Sequence, residues 1–180
     1  MSRIAIPELG GSPAESQAIL DNVNKTLGFV PNHYRLMSIS PNALGGWAGL
    51  MGPASRTLDL KTREGIALAV SEANGCNYCL AAHSYVSTNL AKIPPEEIAR
   101  NRQGDSSDPK RRAAVAFAKA LIETRGKVSD AQFAAVKDAA WTDANIVEMI
   151  ALTAQFLLTN FMNNAAQTPI DFPAVSPAKA

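Results

Sequence analysis

Helix-start signals punctuate this 180-residue chain from end to end, and runs of alternating β-branched residues are absent. Ser12-Pro13-Ala14-Glu15 has the composition of a capping box with proline at the first helical position. Ser129-Asp130-Ala131-Gln132 is a second such box. Ser40, Asp59 and Thr142 are side chains that cap the first turn of a helix, and Asp108-Pro109 and Pro94-Pro95-Glu96-Glu97 open two more. Gly28, Asn74-Gly75 and Gly126 supply stops. The expected helices cover 13–27, 33–38, 41–51, 60–74, 76–90, a short segment after Pro94, 109–125, 130–140 and 143–164. An all-α fold follows, with no repeat of solenoid period.

Two expected helices carry apolar stripes at core spacing. On 109–125 the stripe is Ala113, Ala116, Phe117, Ala120 and Leu121; on 143–164 it is Ile146, Met149, Ile150, Thr153, Phe156, Leu157 and Asn160. The run Ile146–Met162 contains Glu148, Gln155 and Asn160 and reads as a central core helix, so no membrane span is expected. Gly45-Gly46 marks a weak point or a close approach. Asn101–Asp108 reads as a mobile polar loop, Glu72 as solvated, and Lys110-Arg111-Arg112 as a solvated face. The net charge of +1 is spread along the chain, which points away from nucleic acid. No apolar core of a secretory signal follows Arg3, and a cytoplasmic location is expected.

The chemistry concentrates in Glu64–His83. Both cysteines of the chain, Cys76 and Cys79, lie there as a C-x-x-C pair, with one of the two histidines, His83, four residues beyond. In a reducing compartment such a pair favours redox chemistry over a structural disulfide. At i, i+3 and i+7 the three side chains share one helix face. The imidazole can therefore take the Cys79 proton or, once charged, hold the thiolate, which is the nucleophile. On one continuous helix Glu64 would face elsewhere, but a bend at Asn74-Gly75 lets it fold back towards the thiols. The helix N-terminus argues for Cys76 as attacker, and the neighbouring imidazolium argues for Cys79. A full charge in contact outweighs a half-charge worth about 0.3–1 kcal/mol, so we choose Cys79.

The pattern E-x11-C-x-x-C-x3-H resembles the alkyl hydroperoxidase D and carboxymuconolactone decarboxylase superfamily, and more narrowly its peroxidase-related branch. Leu27-Gly28-Phe29-Val30-Pro31-Asn32 and the tail residues Asn160, Asn163, Thr168 and Asp171-Phe172-Pro173 carry the narrower likeness. The resemblance implies an AhpD-like helical bundle: a helical extension over 1–55, a core over 56–165 and an extended tail over 166–180. It also implies a homo-oligomer, a trimer or hexamer, and a peroxidase whose cysteine pair is restored by a dithiol reductant. The acid–base residues would be Glu64 and His83. Where some members have histidine before the second cysteine, this chain has Tyr78.

Read this way, Cys79 attacks a hydroperoxide, Cys76 resolves the sulfenic acid to a disulfide, and no metal, haem or flavin is required. Rival readings are a general disulfide oxidoreductase, a lactone decarboxylase and a non-enzymatic zinc-binding or redox-sensing module. In the last of these, Cys76, Cys79, His83 and Glu64 would be the ligands. His33 is read as a packing or surface residue. Trp47 and Trp141 are read as core or interface residues, Tyr34 and Tyr85 as packing residues, and Tyr78 either shapes a pocket or donates a hydrogen bond.

Overall fold

The computed structural model describes residues 2–54 and 57–175, without the side chains of 51–54. The boundary expected at 55/56 and the last five residues of the tail lie outside the described residues. Among the described residues there are nine helices and no strand: α1 (Ala14–Leu27), α2 (Asn32–Met37), α3 (Pro41–Ala54), α4 (Leu60–Ala73), α5 (Asn77–Asn89), α6 (Pro95–Arg102), α7 (Pro109–Glu123), α8 (Asp130–Asp138) and α9 (Asp143–Ala166). The all-α expectation holds.

Helix α4 is the axis of the bundle. Asp59 caps it, accepting from the Thr62 amide at 3.0 Å and the Thr62 hydroxyl at 2.7 Å. Every residue from Glu64 to Ser71 is buried, which fits a helix surrounded by α5, α6, α7 and α9. Gly65 allows α7 its close approach, because a Cβ there would stand 2.9 Å from Val115 Cγ2. Ile66 and Val70 meet Phe117 of α7 and Met149, Leu152 and Phe156 of α9. Each such large side chain contributes about 1.5–3 kcal/mol by leaving water.

A second cluster, Leu20, Met37, Leu44 and Trp47, joins α1–α3 to Met162 of α9. Trp47 Nε1 donates to Thr159 Oγ1 at 2.8 Å, which fixes α3 on the C-terminal half of α9. The tail returns along the same side. Asp171 Oδ2 accepts from the Asn32 amide at 2.7 Å, and the Phe172 ring stands 5.4 Å from Phe29 and 5.9 Å from Tyr78.

Several expectations need correction. Ser12 does not cap α1: Pro13 occupies the N-cap, and the Ser12 hydroxyl bonds that of Ser38 at 2.7 Å instead. Asn101–Asp108 is tied down: Asn101 is buried, and Glu97 accepts from the Ser106 hydroxyl and the Ser107 amide. Glu72 accepts from Arg102 Nε at 2.7 Å, and the Arg111 side chain is largely buried against Glu97. Arg112 pairs with Asp105 at 2.7 Å and Lys110 stands over the Trp141 ring while both stay exposed, so within the basic run only Arg111 departs from a solvated face. Each partner comes from another segment, which local sequence does not reveal. A Cβ on Gly45 or Gly46 would meet nothing within 4 Å, so close packing does not account for them. Ala116 and Ile150 are exposed, and the buried face of α7 includes Ala114 and Ala118 in their place.

Helix α9 is long and apolar enough to cross a membrane by composition, as the core helix of a bundle also is. Here Gln155, Asn160 and Asn163 are buried alongside Ile146, Met149 and Phe156.

Candidate active site

The connection between α4 and α5 builds the site. Asn74 ends α4, its Nδ2 donating to Val70 O at 2.8 Å and to Asn160 Oδ1 at 3.0 Å. Gly75 follows at φ +60°, a conformation that costs glycine little and most residues more. The chain reverses and Cys76 becomes the N-cap of α5, its sulfur accepting from the Cys79 amide at 3.3 Å. Cys76 and Cys79 are joined as a disulfide with a Cα–Cα distance of 5.3 Å.

The same reversal brings Glu64 back over α5. Its Oε2 lies 2.9 Å from His83 Nδ1. Both side chains are mostly shielded, and Phe156 meets the His83 ring edge-on at 5.1 Å. With the carboxylate ionised, Nδ1 is the donor and Nε2 is left as the basic nitrogen. The four residues singled out in the sequence therefore share one location. Among the described residues no group of three or more His, Cys, Asp or Glu is arranged to hold a metal ion.

A cavity of about 490 Å³ opens at this point between the N-terminal helices, α5, α9 and the tail. Cys79, His83 and Glu64 line it. Cys76 does not: it is fully buried beneath Cys79. The remaining wall is largely apolar and aromatic, including Val23, Leu60, Trp47, Val86 and Phe172.

Sequence reasoning missed a second polar group in this cavity. Asn163 Nδ2 donates to Cys79 Sγ at 3.4 Å, and Asn163 Oδ1 lies 3.3 Å from His33 Nδ1. His33, read as a packing or surface residue, is buried and lines the cavity. Burial lowers its pKa to about 4, against the opposing hydrogen bond with Asn163 and with help from the nearby His83. The only available signal was that His33 is one of two histidines in the chain and follows the Pro31-Asn32 segment. Tyr78 plays both roles considered for it. It lines the cavity, donates to Asp171 Oδ1 at 2.8 Å and accepts from the His33 amide at 3.0 Å. Burial, partly offset by that amide, pushes its pKa well above the usual phenol range. Tyr34, stacked edge-on with Trp47 at 5.3 Å, is pushed up to about 12 by burial and by the Glu64 charge.

The carboxymuconolactone decarboxylase family model matches residues 41–120, a span that runs from α3 through the Glu64, Cys76, Cys79 and His83 cluster into α7. A solved structure from Ralstonia eutropha, described as an alkylhydroperoxidase AhpD core and an uncharacterized peroxidase-related protein, superposes with a TM-score of 0.84. It is 27% identical, with 94% of this chain and 92% of that one covered. Over residues 41–120 the chain is similar to the carboxymuconolactone decarboxylase family, and over nearly its whole length its fold is similar to that AhpD core. Two further solved structures share the fold over nearly the whole length. A peroxidase-related protein from Silicibacter sp. is 22% identical, covers 93% of this chain and 91% of that one, and has a TM-score of 0.81. The debrominase Bmp8, solved with 2,3,4-tribromopyrrole, is 20% identical, covers 95% and 94%, and has a TM-score of 0.78. At these identities the last two show the fold alone. Curated proteins give no match.

Proposed function

We propose that the protein is a thiol-dependent peroxidase that reduces hydroperoxides through Cys79 and Cys76 and is regenerated by a dithiol reductant. One observation carries this reading: of the two cysteines, only Cys79 lines the cavity, and it does so beside a His83–Glu64 pair that can move its proton. The helix N-terminus that would favour Cys76 as thiolate is present, since Cys76 is the N-cap. Access decides against it as attacker, because the substrate space ends at Cys79.

In the reduced protein His83 Nε2 takes the Cys79 thiol proton, and Glu64 holds the imidazolium through Nδ1. The Cys79 thiolate attacks the distal oxygen of the hydroperoxide. A sulfur–oxygen bond forms, the oxygen–oxygen bond breaks, and the leaving alkoxide takes the proton from His83 to depart as an alcohol. The Cys76 thiol then displaces water from the Cys79 sulfenic acid, giving the disulfide. A dithiol restores both thiols by exchange through a mixed disulfide.

We further propose that copies of the chain associate and that they work in the cytoplasm. Val147, Ile150, Leu158 and Phe161 form one exposed apolar stripe along α9, and such a surface favours association. The test of the catalytic reading is stopped-flow mixing of the reduced protein with cumene hydroperoxide, with thiols titrated before and after. The expected result is one equivalent of cumyl alcohol formed and two thiols lost per chain. Thiols that persist while the peroxide remains would refute it. Parallel measurement of insulin reduction separates the peroxidase from a general disulfide oxidoreductase.

A further inference from the structure

The cavity has two polar arms converging on Cys79, and the peroxidase chemistry above uses only one. The second runs from Cys79 Sγ through Asn163 to His33. Its proton positions follow from the atoms. A sulfur in a disulfide or thiolate carries no proton, so the group facing it must be a donor, and that is Asn163 Nδ2. Asn163 Oδ1 then faces His33 and can only accept. His33 Nδ1 must therefore bear the ring proton, which leaves Nε2 as a bare acceptor.

That acceptor is buried and has no hydrogen-bond partner among the described residues. His33 is itself one of the residues that line the cavity. It is held in place on several sides, with Trp47 edge-on at 5.3 Å, Tyr34 at 5.4 Å and the His33 amide bound to Tyr78 at 3.0 Å. A buried acceptor without a partner is costly, and the cost is removed when a bound molecule donates to it. We propose that His33 is the substrate-orienting residue of the cavity, its Nε2 accepting a hydrogen bond from the O–H of an apolar molecule held over Cys79.

This inference rests on the peroxidase reading for its chemistry and deepens it by naming the residue that positions the hydroperoxide, whose apolar body the largely apolar wall would hold. In such a molecule the oxygen that bears the hydrogen is the distal one. The atom that donates to His33 is thus the atom that Cys79 attacks. Asn163 links the two, setting the imidazole and the sulfur at a fixed spacing through contacts of 3.3 and 3.4 Å. The low pKa of His33 keeps it an acceptor at neutral and mildly acidic pH.

Binding of unreactive ligands to the disulfide form tests the proposal without turnover, so its outcome is independent of the peroxidase assay. The probes are cumyl alcohol, which has one O–H on an apolar body, and its methyl ether, which has none. Calorimetric titration of the wild-type protein should show the alcohol binding about tenfold more tightly than the ether, the order expected for one hydrogen bond to a buried acceptor. In His33→Phe, which keeps the ring and loses the acceptor, that preference should vanish. Equal affinities in the wild type, or no binding of either compound, would overturn the proposal. So would a preference that survives in a folded His33→Phe protein.

Discussion

Acidification from pH 6.5 to 5 should weaken the folded state mainly through one imidazole, that of His33. In an unfolded chain a histidine titrates near 6.5, whereas burial brings His33 down to about 4 in the folded protein. Between those values the unfolded chain binds one proton more than the folded one, so stability rises with pH across the window and is lost as pH falls through it. The slope approaches about 1.4 kcal/mol per pH unit once the unfolded histidine is fully protonated, giving about 1.6 kcal/mol between pH 6.5 and 5. That is a visible fraction of a typical 5–15 kcal/mol. Burial alone would raise the Asp59 and Glu97 carboxyls, but hydrogen bonds from Thr62 and from Ser106 and Ser107 outweigh it and hold both below the usual range. Their contributions are therefore lost only at lower pH, outside this window. Urea unfolding of the disulfide form at fixed protein concentration, followed by circular dichroism at half-unit pH steps, measures the slope. His33→Gln removes the titrating group and should flatten the curve by about one proton. A slope that is equal in the two proteins would refute the assignment of a neutral buried imidazole.

Other parts of the account are open to separate tests. Glu64→Gln keeps the shape of the His83 contact and removes its charge; thiol alkylation of the reduced protein across pH 5–9 should show a raised Cys79 pKa, and an unchanged profile would count against the dyad. Asn163→Leu removes the amide donor facing Cys79 Sγ and should slow alkylation at neutral pH by about three- to tenfold, the worth of one hydrogen bond to a charged sulfur. Light scattering at micromolar concentration should show a trimer or hexamer, and Phe161→Glu, placed on the exposed α9 stripe, should dissociate it; a wild-type monomer at every concentration would contradict the association.

The helices and the Glu64–His83 arrangement were legible in the sequence because local chemistry specifies them. Asp59, Ser129 and Thr142 cap the helices they precede, the latter two through complete capping boxes. Asn74-Gly75 makes the reversal that returns Glu64 to α5. What escaped depends on partners far away in the chain. Ser12 has the composition of a cap, yet its hydroxyl goes to Ser38, 26 residues on. Glu72 and Arg111 look solvated in sequence, yet each is paired with a side chain from another helix or its flank. His33 and Asn163 are 130 residues apart, and no periodicity within α2 or α9 announces that they meet at Cys79. The apolar stripes erred for a related reason: spacing shows which residues share a face, while the neighbours decide how wide the buried arc is. That leaves Ile150 exposed and buries Gln155.

The most direct test of the central claim is to ask which sulfur a peroxide oxidises. Reduced Cys76→Ser and Cys79→Ser proteins are each mixed with one equivalent of cumene hydroperoxide in the presence of a sulfenic-acid trap, and the adduct is located by mass spectrometry. The account predicts rapid labelling of Cys79 in Cys76→Ser, where the sulfenic acid has no resolving partner, and none in Cys79→Ser. Labelling of Cys76 in Cys79→Ser, or of neither cysteine in either protein, would contradict it.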